Sequence, residues 1–223
     1  FFKELKKKFK SNFNLERVDL IVGGPPCQGF SGIGHRRSYS VDKAQLPSNH
    51  LYEDMVYFIH KIKPKIFLFE NVEGLLRSKW TKSGKKGEIF NDVLSTFRSL
   101  KNYNVKFSLV KAKDYGVPQN RPRVIIIGID KKIKIKGKKD SIDALESGFL
   151  PMPTNDYPQL EDVFSDLIDK NFINGGETKN YPSSPKSNWQ KKIRYNPYTK
   201  KVFQVGDELT DHEYSKHTET VIN

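Results

Sequence analysis

Short apolar runs alternate with amphipathic segments along the first 130 residues, and this alternation limits the fold more than any other feature. Apolar residues recur at helical spacing over residues 51–62 and 89–100, and a basic helix is expected over residues 3–13. Strands are predicted for the apolar runs at residues 18–22, 66–69, 105–110 and 124–129. Strands that alternate with crossover helices predict an α/β fold with a mostly parallel sheet.

The pattern changes after residue 130. Residues 131–139 form a lysine-rich segment, which is predicted to be a charged strand or loop. Beyond residue 149 the chain is rich in Pro, Asn, Ser and Tyr, and one helix is expected over residues 160–168. We therefore expect a core that ends near residue 149 and an irregular C-terminal extension.

Charge and composition narrow the classes of function. The 223-residue chain has a formal net charge of +13, which favours a polyanionic partner such as nucleic acid. Its single cysteine excludes an internal disulfide and fits a reducing compartment such as the cytoplasm. No apolar stretch in the sequence is long enough to span a membrane. The histidines do not have the spacing of metal ligands, and the chain has no second cysteine. We therefore expect no metal site.

The cysteine, Cys27, lies in an unusual loop, residues 23–31, that directly follows the first predicted strand. We call this segment the Cys27 loop. Pro25 and Pro26 stiffen the backbone in front of the thiol, and glycines on both sides permit close approach of a ligand. Ligands of parallel α/β sheets collect at the carboxyl ends of the strands. The loop by itself fits two roles for Cys27, a nucleophile or ligand on one hand and a buried structural thiol on the other.

Three short motifs occur in order at the ends of predicted strands. They are Pro25-Pro26-Cys27-Gln28, Glu70-Asn71-Val72 and Gln119-Asn120-Arg121-Pro122-Arg123. In identity, order and spacing they resemble the cytosine-C5 DNA methyltransferase family, over about residues 18–129. Leu51 and the run Lys63-Pro64-Lys65 also match the family. The resemblance implies a Rossmann-like methyltransferase core, S-adenosyl-L-methionine as methyl donor and double-stranded DNA as substrate.

The resemblance assigns a chemical role to the catalytic candidates. Cys27 would add to carbon 6 of cytosine, because a thiolate attacks a soft carbon well and can leave again. Glu70 would protonate or hydrogen-bond ring atom N3, which keeps negative charge off the base. Arg121 and Arg123 lie two residues apart, on the same side of a strand, and would contact the target base, a phosphate or active-site groups.

Binding roles follow from the same resemblance. The cofactor would contact Pro25, Pro26 and Leu51. The substrate would be bound or positioned by Gln28, Ser31, Asn71 and Gln119, with Ser31 on a phosphate. Because Cys27 cannot reach a base inside a duplex, the target nucleotide would be flipped out, and the loop at residues 31–49 would close on the DNA.

Other parts of the family pattern are missing. No glycine-rich strand-to-helix turn and no acidic ribose ligand precede the Cys27 loop. We therefore expect residues 1–149 to be a catalytic core without its N-terminal cofactor-binding part, and residues 150–223 to extend toward the target-recognition region. The chain alone should bind the cofactor weakly and turn over poorly. Its start resembles neither a signal peptide nor a natural beginning, which indicates a piece of a longer protein.

We expect a prokaryotic modification enzyme, such as the methyltransferase of a restriction-modification system. It should be cytoplasmic, associated with the nucleoid and monomeric on DNA. Two alternatives stay open. A nucleic-acid-binding module with an inactive methyltransferase-like core would also explain the charge and the missing cofactor motif. A tRNA cytosine-C5 methyltransferase would use the same residues, although the Cys-Phe-Thr signature of that branch is absent.

Overall fold

The first of two structural units contains a four-stranded sheet, and the second consists of short elements. The computed structural model describes residues 1–14, 17–26, 47–137, 140–154 and 156–216. The first unit comprises Phe1–Ala112 and Asn120–Thr154, and the second comprises Lys113–Gln119 and Asn155–Asn223.

The regular elements of the first unit follow the predicted order. They are α1 (Phe2–Phe13), β1 (Leu20–Gly23), α2 (Leu51–Ile62), β2 (Ile66–Val72), α3 (Glu88–Arg98), β3 (Tyr103–Lys111) and β4 (Pro122–Asp130). The second unit contains α4 (Leu160–Phe164), α5 (Asn188–Ile193), β5 (Tyr195–Asn196) and β6 (Lys201–Val202). No strand forms in the described part of the lysine-rich segment, residues 131–137.

The α/β class is confirmed, but the sheet is mixed rather than mostly parallel. Its strand order is β1-β2-β4-β3. Strands β1 and β2 pair in parallel, whereas β4 pairs antiparallel with both β2 and β3. Strands β1, β2 and β3 therefore run in the same direction, as the helices between them require. Strand β4 reverses because the connection at residues 112–121 contains no α-helix and is shorter than the roughly dozen residues that a parallel crossover needs.

Helices α2 and α3 pack on one face of this sheet and form the main core with it. The observed α2 has the predicted bounds, and it ends where Lys63 adopts a left-handed conformation just before Pro64. The side chains that are less than 2% exposed include Ile59 on α2, Phe67 on β2 and Phe97 on α3. The aromatic rings of Phe67 and Phe97 stack with their centroids 5.3 Å apart.

The opposite face of the sheet carries a second, smaller apolar cluster. Side chains alternate between the faces of a strand, so Ile127 and Ile129 of β4 lie on this second face while Val124 and Ile126 join the main core. The small cluster formed by Ile127, Ile129 and Ala144 lies toward the end of β4.

Asp130, at the end of β4, belongs to a set of hydrogen bonds at the edge of the sheet where β1, β2 and β3 begin. The backbone amide of Lys132 donates to Asp130 Oδ1 at 3.0 Å, and Arg17 donates to Asp130 Oδ2. These two hydrogen bonds, the first from the amide and the second from the guanidinium, hold the pKa of the Asp130 carboxyl below its usual value. Arg17 also donates to the carbonyl oxygen of Pro64 at 2.9 Å, and Tyr103 donates to the same oxygen at 2.7 Å.

The second unit differs from its prediction in length and content. The expected helix at residues 160–168 ends at Phe164 and continues as a 3-10 turn over Ser165–Leu167. Helix α5 was not predicted, although Ser187 and Gln190 form a capping box, a sequence signal that could have located it. The side chain of Asp166 is buried and makes a two-point ion pair with Arg194, with N–O distances of 3.1 and 3.2 Å.

Candidate active site

The Glu70 carboxyl lies directly beside the start of the Cys27 loop. Because β1 and β2 are neighbouring parallel strands, with Gly23 opposite Phe69, the residues that follow them meet at one edge of the sheet. A Cβ atom on Gly24 would lie 3.0 Å from Glu70 Oε2. Only a glycine lets the backbone pass this closely without displacing the carboxyl.

Arg123 forms an ion pair with Glu70 across the sheet. Arg123 Nε lies 2.5 Å from Glu70 Oε1, and the two side chains are 17% and 39% exposed, respectively. The pair depends on the reversal of β4, which brings the first residues of that strand to the carboxyl end of β2. Glu70 is opposite Ile125, so Arg123 occupies the diagonal position on the same face. The guanidinium also donates from Nη1 to the carbonyl oxygen of Pro122 at 2.8 Å.

Asn71 connects the second strand to the Cys27 loop. Its side chain points to the face opposite that of Glu70 and is 3% exposed. Asn71 Nδ2 donates to the carbonyl oxygen of Pro25 at 3.3 Å, and Asn71 Oδ1 accepts from the backbone amide of Val72 at 2.8 Å. The structure thus places Asn71 as a side chain that holds the backbone in front of Cys27.

Helix α2 packs closely against the end of β1. A Cβ atom on Gly23 would lie 2.7 Å from the sulfur of Met55, so a larger residue there would displace the end of the Met55 side chain. Leu51, a predicted cofactor contact, is the first residue of α2 and is half-buried. The flanking His50 ring stacks on Trp80, with centroids 5.2 Å apart and planes 5° apart. Sequence reasoning missed this pair because nothing local connects residues so far apart in the chain.

The remaining predicted residues are distributed differently. Arg121 is exposed and precedes β4, and its carbonyl oxygen accepts from the backbone amide of Ala112 at 3.3 Å. Gln119 belongs to the second unit. Pro25 is half-buried and Pro26 is exposed. Three predicted site residues, Cys27, Gln28 and Ser31, lie outside the described residues.

The described residues contain neither a membrane-spanning helix nor a metal-binding cluster. Within the described ranges, no helix is both long enough and apolar enough to cross a membrane. The same part of the chain contains no group of three or more His, Cys, Asp or Glu side chains that could hold a metal ion.

Comparison with known proteins identifies the family. The profile of the C-5 cytosine-specific DNA methylase family matches residues 2–222. The chain belongs to this family. The type II methyltransferase M.DdeI of Desulfomicrobium norvegicum is 36% identical over 185 residues, which cover 81% of this chain and 40% of that protein. The type II methyltransferase M.AgeI of Thalassovita gelatinovora is 35% identical over 208 residues, which cover 85% of this chain and 45% of the relative.

A solved structure of a methyltransferase is similar to this chain, which agrees with the family assignment. It is that of a protein described as a DNA modification methyltransferase encoded within a prophage of E. coli, with a TM-score of 0.51 and 26% sequence identity. The match covers 83% of this chain and 44% of that one. The chain therefore spans less than half the length of each of these three proteins.

Proposed function

We propose that the protein transfers a methyl group to carbon 5 of cytosine in duplex DNA, through a covalent adduct between Cys27 and a flipped base. The single observation that carries the proposal is the Glu70–Arg123 ion pair next to the start of the Cys27 loop. Membership of the C-5 cytosine-specific DNA methylase family and the bacterial type II relatives support the same reaction.

The chemistry begins at the loop. The Cys27 thiolate adds to carbon 6, so that carbon 5 gains electron density and becomes nucleophilic. Glu70, protonated on the oxygen that faces the base, donates its proton or a hydrogen bond to ring atom N3 and so stabilises the charge that addition places on the base; it takes the proton back when the thiolate leaves. After methyl transfer a base removes the proton from carbon 5, the bond between carbon 6 and sulfur breaks, and Cys27 leaves as a thiolate.

Arg123 orients the carboxyl that performs this role. The guanidinium is itself anchored on the Pro122 carbonyl, so its contact with Glu70 Oε1 fixes one oxygen of the carboxyl. Glu70 Oε2 remains on the side of Gly24, where the Cys27 loop begins. We assign Oε2 to the contact with ring atom N3, because a catalytic group works best when its position is set before the substrate arrives.

S-adenosyl-L-methionine supplies the methyl group in this proposal. Half-buried surfaces of Pro25 and Leu51 fit part of such a ligand, and Pro26 adds an exposed apolar ring. No described residue has been assigned to the ribose. These residues therefore form part of a cofactor site, and we propose that the chain alone binds the cofactor weakly.

Several assignments extend the proposal beyond the catalytic pair. Residues 1–149 serve as the catalytic core, and residues 150–223 extend toward target recognition. The DNA contacts include Arg121 and Gln119 together with Gln28 and Ser31, and Asn71 positions the loop backbone. We place the protein in the bacterial cytoplasm, monomeric on DNA, within a restriction-modification system.

The test is covalent trapping with duplex DNA that contains 5-fluorocytosine, because fluorine at carbon 5 blocks the release of the enzyme. The full-length protein should form a denaturation-resistant adduct in the presence of S-adenosyl-L-methionine, and Cys27→Ala should form none. Glu70→Gln should slow adduct formation by about 10²- to 10⁴-fold. The matched control is Glu73→Gln, since among the described residues Glu73 pairs only with Arg77, at 3.9 Å, and the Glu73 side chain is 40% exposed.

Each other outcome points to a different function. Duplex binding without an adduct would support the inactive binding module, which the net charge of +13 favours. An adduct with tRNA but not with duplex DNA would support the tRNA-modifying alternative. An adduct that persists in Cys27→Ala would overturn the assignment of the nucleophile.

A further inference from the structure

A lysine-lined cleft lies far from the catalytic pair and has no role in the proposed reaction. Its volume is about 640 Å³. We call it the distal cleft, and its walls come from the start of β3, the end of β4 and two following segments, with lining residues that include Lys106, Ile129, Lys131, Ile133, Lys134 and Phe149. The volume is in the range of small-molecule sites in proteins.

The distal cleft and the catalytic pair occupy opposite ends of the same sheet face. Strand β4 begins next to Arg123, at the catalytic end, and ends at Asp130, where the cleft starts. The two positions are seven residue steps apart along an extended strand, or about 24 Å. A ligand in the distal cleft therefore cannot touch Glu70, and the cleft is a separate site.

The charge of the cleft favours an anion. Three lysines line it, and no acidic residue is among the described residues that form its walls. Lys106 donates to the carbonyl oxygen of Ser141, which fixes its amino group at one wall. Neither Lys131 nor Lys134 makes an ion pair with any of the described residues. Their uncompensated charges are available to a phosphate.

The floor of the cleft favours a ligand that also has an apolar surface. Ile129 is 5% exposed, and Ile133 and Phe149 pack against the apolar cluster to which it belongs. A small hydrated anion gains nothing from such a floor, whereas the face of a nucleobase can pack on aliphatic and aromatic side chains. Asn104 adds an amide that can both donate to and accept from the edge of a base.

We infer that the distal cleft binds a nucleotide, with its phosphate near Lys131 and Lys134 and its base on the floor formed by Ile129, Ile133 and Phe149. The nucleotide comes either free from solution or from a single strand of nucleic acid, since both present a phosphate next to an unpaired base. This inference does not rest on the proposed methylation, because the two sites share no residue.

Calorimetric titration of the full-length protein tests the inference. Adenosine monophosphate is titrated in the presence of saturating S-adenosylhomocysteine, which blocks adenine binding at the catalytic end. We expect one site per chain and binding at least tenfold tighter than that of ribose 5-phosphate, which lacks the base. Absence of binding, or equal affinity for the two ligands, would overturn the inference.

Matched charge variants then locate the site. K131Q/K134Q should weaken binding of adenosine monophosphate by about tenfold, as expected for the loss of two exposed charge contacts. The control K82Q/K86Q removes the same charge from exposed lysines outside the cleft and should bind like the unmodified protein. Equal affinities of the two double variants would overturn the assignment to this cleft. The methylation rate should be the same in both.

A final comparison separates the two sources of the nucleotide. A single-stranded oligonucleotide that binds more tightly than adenosine monophosphate, and loses this affinity in K131Q/K134Q, identifies a nucleic-acid strand as the ligand. Binding of the mononucleotide with no gain from the longer chain identifies the free nucleotide. Failure of covalent trapping at Cys27 would leave both results unchanged, so the two proposals can fail independently.

Discussion

Replacement of Gly128 by alanine tests how tightly β2 and β4 pack under the main core. Gly128 is directly opposite Phe67, and a Cβ atom on it would lie 2.1 Å from Phe67 Cε1 and 2.2 Å from Cζ. The Phe67 ring is completely buried and cannot swing away, because it packs on Phe97 and Tyr103 with centroid distances of 5.3 and 5.2 Å. The added methyl group must therefore push the strand or the ring out of place.

The size of the effect follows from two opposing contributions. Overpacking a rigid core costs about 3 kcal/mol at the upper end of its usual range, and a contact this short belongs there. Removal of the glycine lowers the entropy of the unfolded chain and returns up to about 1 kcal/mol. We expect Gly128→Ala to lose about 2 kcal/mol of unfolding free energy. With an m-value near 2 kcal/mol per molar urea, the midpoint falls by about 1 M.

Equilibrium urea unfolding followed by circular dichroism measures this, and a double-mutant cycle with Phe67→Leu isolates the contact. Leucine lacks the Cε1 and Cζ atoms that would meet the new methyl group, and Phe67→Leu alone should cost about 1–2 kcal/mol. The double variant should be no less stable than Phe67→Leu alone, which corresponds to a coupling of about 2 kcal/mol. Additive losses, or an unchanged midpoint for Gly128→Ala, would refute the reasoning.

Three further variants test other parts of the molecule. Gly24→Ala should slow the proposed methylation by the full-length protein at least tenfold in single-turnover assays, because its new methyl group would displace the carboxyl of Glu70. An unchanged rate would argue against that carboxyl position. The lowered pKa of Asp130 means that its contribution to stability is complete above about pH 4 and is lost as the pH falls further. Asp130→Asn should therefore be less stable at pH 7 and show a flatter dependence of unfolding free energy on pH below 4, and equal slopes in urea titrations would count against this. Asp166→Asn leaves the buried guanidinium of Arg194 without its anion and should cost about 3 kcal/mol in urea unfolding; a loss below about 1 kcal/mol would show that the pair is dispensable.

Local patterns in the sequence were sufficient to predict the main elements of the first unit. Helix α2 has the predicted bounds because apolar residues recur along it at helical spacing and Pro64 follows it. Strands β2, β3 and β4 extend one or more residues beyond the apolar runs, since backbone pairing continues past those runs. Strand β1 instead begins at Leu20, two residues later than predicted. The second unit was predicted poorly, because its buried Asp166 and Arg194 are polar residues that leave no apolar period.

By itself the sequence determined the α/β class, the order of the core elements and the three motifs that carry the family resemblance, because each of these depends on residues close together in the chain. Only the tertiary structure decided that β4 runs antiparallel to its neighbours, since strand direction depends on the length and path of a connection rather than on the strand's own residues. That reversal brings Arg123 to Glu70 and carries the other end of β4 to the distal cleft. A motif can indicate which residues act, but the pairing of strands determines which of them meet.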